Sequence, residues 1–167
     1  WDHVLVQNLA PGAIGTVLVP IRMVYSIACF NAGMNWAWNL IGAIVNSLPR
    51  PSGMEIEIAG DWPTLDSYPA PLDLVLRNLI GNAVAHHDRE HGTVRVTCQP
   101  HEQALTIVVA DDGPGIPREW QEAVFLPFKT IPERSAAGGA SSGIGLALVR
   151  RTAENVGARI SLVSDPA

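Results

Sequence analysis

Leu72, Val75, Leu76, Leu79, Ile80 and Ala83 follow Pro71 at helical spacing, and this stripe constrains the chain more than any other feature. It commits the segment to an amphipathic helix running to about His87, with Pro71 at a first helical position where its missing N–H is not needed. A helix that is apolar along one side is stable in water only against another layer. Sequence on either side of the helix can supply that layer. Residues 54–59 alternate, with Glu55 and Glu57 on one face and Met54, Ile56 and Ile58 on the other, as in a half-buried strand. After a polar loop over 87–92, Val94, Val96 and Cys98 share one strand face, and residues 100–103 turn the chain into a returning strand over 104–110.

Beyond this hairpin, Asp111-Asp112-Gly113-Pro114-Gly115 breaks the strand and Pro117 opens a short helix through Val124. Residues 129–143, rich in Ser, Ala and Gly, read as a mobile loop. A helix over 144–156 stops at Gly157, a left-handed cap, and a strand covers 159–164. Upstream, a helix is expected over 35–48, ended by Pro49 and Pro51. The first fifty residues carry only Asp2, Arg22 and Arg50 as charges. We therefore divide the chain into 1–31, a linker or dimerisation-helix remnant, and a domain over 32–167. The apolar run 13–30 has the length of a membrane span but contains Pro20 and Arg22.

Composition excludes one broad class. Eleven Lys and Arg against sixteen Asp and Glu give a formal charge of −5, the wrong balance for a surface that neutralises nucleic-acid phosphates. Cys29 and Cys98 form no CxxC pair and suggest neither zinc nor a disulfide framework, which fits a reducing compartment. Cys98 reads as a small buried hydrophobe.

Three short motifs could carry chemistry. In Asn78-Leu79-Ile80-Gly81-Asn82 the two carboxamides project from one flank of the helix. That flank is either a solvated polar face or a set of oxygen donors for Mg²⁺. Asp111-x-Gly113-x-Gly115 closes an apolar strand as a plain turn, or as a carboxylate accepting from an exocyclic amine beside glycines that admit a flat ring. Ser141-Ser142-Gly143-Ile144-Gly145-Leu146 feeds a helix, as a flexible connector or a phosphate cradle. There is no GxxxxGK[ST] loop and no nucleophile elbow.

With Phe125-Leu126-Pro127-Phe128 between the second and third motifs, this order resembles the ATP-binding catalytic domain of sensor histidine kinases, of the Bergerat-fold superfamily shared with gyrase B, Hsp90 and MutL. The resemblance covers about residues 54–164, and the run LRNLIGNAVAHHDR is particularly similar. It implies an α/β two-layer sandwich with a mixed, largely antiparallel sheet, helices on one face, and a last strand beyond Ala167. It further implies that Asn82 binds Mg²⁺, Asn78 assists at the ATP phosphates, and Asp111 bonds the adenine amine beside Gly113 and Gly115. Phe125 and Phe128 would anchor a lid over the nucleotide, Lys129 would reach in from that lid, Ser142, Gly143, Gly145 and Leu146 would meet phosphate, and His86 would lie near the nucleotide.

The hydrolysing branches place Glu where this chain has Asn78, and an amide cannot take a proton from water. The resemblance therefore implies transfer of the γ-phosphoryl group to a histidine on a separate dimerisation domain, for relay to a response regulator, within a homodimeric parent. The expected location is the cytoplasm, with a parent that can be membrane-anchored. Two alternatives share the motifs: a non-catalytic nucleotide-binding regulatory module, suggested by Ala85 where relatives usually carry Lys or Arg, and a Ser/Thr kinase of the anti-sigma-factor type. His3 lacks the acidic, basic and Pro neighbours of the family's acceptor box.

Overall fold

The strand pair predicted from Val94, Val96 and Cys98 forms the centre of the molecule. In the computed structural model, which describes residues 16–20, 36–62, 69–101, 104–131 and 142–164, β3 (His91–Pro100) and β4 (Ala104–Asp111) pair antiparallel from Val94↔Asp111 to Pro100↔Leu105. The His101 N–H donates to Ala104 O at 2.8 Å across the turn. On the outer side of β3, β2 (Gly53–Gly60) runs parallel. Parallel neighbours need a crossover connection, and α2 (Pro69–Ala85) supplies it.

On the other side, β4 pairs antiparallel with β1 (Thr16–Pro20), which in turn pairs antiparallel with β5 (Arg159–Ser161). The five-stranded order is β2-β3-β4-β1-β5, a mixed, largely antiparallel sheet. β1 lies upstream of residue 32, where the domain was expected to begin, and is part of the sheet. A strand edge such as that of β4 presents unpaired N–H and C=O groups, and a β-branched, apolar run is suited to pair with it.

Three helices of the described residues, α1 (Trp36–Ser47), α2 and α3 (Gly145–Asn155), pack on one face of the sheet. Ile41 and Ile44 of α1, Leu76, Leu79 and Ile80 of α2, and Val149 of α3 are fully buried against Val94, Val96, Leu105, Ile107 and Val109. Each such side chain contributes about 1.5–3 kcal/mol by leaving water. The amphipathic stripe of α2 is this contact, and the helix itself begins two residues earlier than expected, at Pro69. On the solvent face, Arg95 Nε donates to Glu57 Oε2 at 2.7 Å between directly paired residues. No helix among the described residues is long and apolar enough to cross a membrane.

Two further expectations change. The helix expected from Pro117 to Val124 is a pair of 3-10 turns, Arg118–Trp120 and Ala123–Phe125. Gln121, between them, turns its Nε2 back to Ile116 O and to Ser164 O, at 3.0 and 2.7 Å. For the same reason the last strand is three residues long: Ser164 is drawn off by Gln121 and by Ile116 N–H, which donates to its Oγ at 2.7 Å. Residues 132–141, most of the expected mobile loop, lie outside the described residues.

Candidate functional site

The first and third motifs meet at Gly145. This glycine opens α3, and Ile144 at the cap position supplies no side-chain hydrogen bond to the helix start, so the first-turn N–H groups retain their capacity for an acceptor. A Cβ on Gly145 would stand 2.9 Å from Asn78 Oδ1 and 3.9 Å from Asn82 Nδ2. Two carboxamides one helical turn apart on α2 thus face the positive end of α3. The Asn78 amide is oriented by its Nδ2, which donates to Leu74 O at 2.8 Å and leaves Oδ1 toward Gly145. The meeting depends on the packing of α2 against α3, which share one buried core that includes Leu79, Val149 and Ala153.

The second motif lies at the end of β4. Asp111 is buried, at 6% exposure, and its Oδ1 accepts the Gly113 N–H at 2.9 Å. A Cβ at 113 would stand 2.7 Å from that Oδ1, so any other residue there would have to displace the carboxylate. Its other oxygen, Oδ2, is also buried. Gly115 follows at φ 68°, in the left-handed region that favours glycine. A buried carboxylate beside an open backbone suits an exocyclic amine on a flat base.

The phenylalanines of the intervening motif divide. Phe125 is buried with Ile116, Val124 and Ile131, and the Arg150 guanidinium of α3 lies 4.3 Å from its ring centroid. Phe128 is 76% exposed at φ 61°. Its backbone does the holding: the Phe128 N–H donates to Gly143 O at 2.8 Å, joining the residues that precede and follow 132–141. Gly143, at φ 64°, lies so close that a Cβ would be 2.9 Å from Phe128 C. Lys129 and Ser142 are exposed at this junction, and Leu146 packs half-buried against both apolar clusters. His86 is half-buried, its N–H on Asn82 O at 3.0 Å, and Ala85 is exposed at the last position of α2.

His87 and Asp112 carry a contact that local sequence does not reveal. The His87 side chain is 1% exposed, and its Nε2 is 2.9 Å from Asp112 Oδ1. That oxygen also accepts the Thr93 N–H at 2.7 Å. Burial raises the Asp112 pKa, but the hydrogen bonds from Thr93 and His87 outweigh it and hold the carboxyl below its ordinary 3.8. The partners are twenty-five residues apart, and only strand pairing brings them together.

Comparison with known proteins identifies the family. Residues 67–167, more than half of the chain, match the family model described as histidine kinase-, DNA gyrase B-, and HSP90-like ATPase. The chain is 36% identical over 120 residues to the adaptive-response sensory kinase SasA of Prochlorococcus marinus, covering 71% of this chain and 31% of that protein. It is 34% identical over 90 residues to the sensor histidine kinase CpxA of Escherichia coli, covering 54% of this chain and 19% of that protein. The chain thus spans about a third or less of these relatives. Among solved structures, the mycobacterial sensor histidine kinase MprB superposes with a TM-score of 0.61 at 20% identity, covering 78% of this chain and 95% of that one, a likeness of fold. Full-length ShkA in complex with AMPPNP superposes with a TM-score of 0.59 at 25% identity, covering 77% of this chain and 30% of that one. The chain belongs to the family of histidine kinase-, DNA gyrase B- and HSP90-like ATPases.

Proposed function

We propose that this chain is the ATP-binding catalytic module of a two-component sensor histidine kinase, presenting the γ-phosphoryl group of ATP to a histidine on a separate dimerisation domain for relay to a response regulator. The observation that carries this reading is the convergence at Gly145, where the start of α3 faces two carboxamides. Helix-start N–H groups favour phosphate oxygens. Asn78 and Asn82 offer hard oxygens but no base for water, so the site favours transfer over hydrolysis. Mg²⁺, when bound, would neutralise phosphate charge, and Asn82 is the residue suited to hold it, with Asn78 assisting at the phosphates.

The remaining residues receive roles by the same reasoning. Asp111 accepts the adenine amine, with Gly113 and Gly115 admitting the ring, while His86 lies one turn past Asn82 at the nucleotide's edge. Ser142, Gly143 and Leu146 complete the backbone cradle, Phe125 fixes its floor, and Phe128 and Lys129 stand where a closing lid can bring them down. Residues 51–167 carry the acidic excess, −6 against −5 for the whole chain. An anionic ligand must therefore be held by backbone dipoles and a metal ion rather than by a basic patch. We place the module in the cytoplasm within a homodimeric parent.

Ala85 favours a second reading. Exposed at the end of α2 with no cation to offer, it suits a nucleotide-binding regulatory module. Incubating the parent protein with γ-labelled ATP separates the readings. Acid-labile label supports phosphohistidine, acid-stable label supports a Ser/Thr kinase, and ATP binding without label supports the regulatory module.

A further inference from the structure

We propose that His87 is a positioning residue for the base end of the nucleotide site, holding in place the turn that carries Asp111 and Gly113; this rests on the reading of Asp111 as the adenine acceptor. The imidazole is almost wholly enclosed, at 1% exposure, and neither phosphate contact nor transfer uses it. Its protonation pattern follows from its neighbours. The Arg89 N–H donates to Nδ1 at 3.2 Å, so Nδ1 is an acceptor and Nε2 carries the proton that bonds Asp112 Oδ1 at 2.9 Å. With the Thr93 N–H on the same oxygen at 2.7 Å, a single carboxylate oxygen ties together three parts of the fold. These are the segment after α2, which carries Asn78 and Asn82; the start of β3; and the residue following Asp111.

The space around the ring is matched to it. A Cβ on Gly92 would collide with His87 Nε2 and Cε1, and one on Gly113 would stand 3.5 Å from His87 Cδ2. The imidazole therefore occupies a slot between two glycines, one in β3 and one in the Asp111 turn. Other charged groups nearby are Asp88, 3.8 Å from Nδ1, and Arg89, which pairs with Asp88 at 3.8 Å. Neither reaches Nε2. A displaced turn would carry Asp111 off the position where an adenine amine is met, while leaving the Gly145 cradle untouched.

Calorimetry of the 167-residue chain with ADP and with GDP tests this. Removing the donor with bulk retained, in His87→Leu, is expected to weaken ADP about tenfold and to narrow the preference for ADP over GDP. His87→Gln, whose side-chain amide can restore a donor near Nε2, is expected to stay within about threefold of the wild type. Asp112→Ala removes the other half of the pair from a half-exposed position, tests the contact should His87→Leu fail to fold, and is expected to give the same selective loss. An unchanged ADP to GDP ratio in His87→Leu or Asp112→Ala, or a Gln variant as weak as the Leu variant, overturns the positioning role. A wild-type chain that binds ADP no better than GDP overturns the underlying reading of Asp111 instead, so the two failures are distinguishable.

Discussion

A Cβ on Gly145 would stand 2.9 Å from the Asn78 Oδ1, and the carboxamide can swing clear only by giving up its 2.8 Å hydrogen bond to Leu74 O. Position 145 is therefore held at glycine by a side chain sixty-seven residues earlier rather than by local backbone need. Gly145→Ala should weaken ATP binding about five- to tenfold, the loss of roughly one hydrogen bond. The melting temperature should change little, since alanine is also the better helix former. Calorimetry beside thermal denaturation checks both parts, and an Ala variant with wild-type affinity would show that the carboxamides do not meet the ligand.

Asp111→Asn preserves an oxygen for the Gly113 N–H but places an amide where Oδ2 now lies. An adenine amine would then meet a donor instead of an acceptor. The expected cost is about 1.5–3 kcal/mol, some ten- to hundredfold in ATP affinity, with little change in stability. Unchanged binding by calorimetry would remove Asp111 from the base pocket.

The Asp112 carboxyl has a folded-state pKa below its unfolded value. Its contribution to stability is then fully present above about pH 4, near the unfolded pKa, and is lost as pH falls through the folded value. Asp112→Asn should reduce the loss of stability on acidification below pH 4. The effect is under about 1 kcal/mol, because the side chain is half exposed. Urea unfolding at pH 3 and at pH 6 measures it, and an equal acid-side loss in both proteins would contradict it.

Burial, and after it the charge of Asp61, pushes the Cys98 thiol up to about 12. Cys98 is 0% exposed on the core face of β3. It should resist aromatic disulfide reagents in the native protein at pH 8 and react on addition of denaturant. Peptide mapping after labelling distinguishes it from Cys29, and native labelling at Cys98 would mean that the sheet opens readily at β3.

Much of this architecture was legible because it depends on periodicity. The stripe from Leu72 to Ala83 and the alternation through Val94, Val96 and Cys98 depend only on which side of a helix or strand a residue projects from, and they specified the layers. The Asn pair was legible for the same reason, as residues one turn apart on α2. The two 3-10 turns were not, because Gln121 is engaged by Ile116 and by the distant Ser164. The exposure of Phe128 was equally hidden: two phenylalanines three apart look alike in sequence, and only the φ of 61° and the bond to Gly143 separate them.

By itself, then, the sequence determined the elements, the side of each that is apolar, and the order of three motifs whose resemblance to a family pointed to a nucleotide. Tertiary structure alone decided that Thr16–Pro20 belongs to the sheet, that Gly145 faces Asn78, and that His87 reaches Asp112. The division has a physical cause. Local patterns record the burial of single segments, whereas these contacts join residues far apart in the chain, and their geometry exists only once the sheet register and the packing of α2 on α3 are set.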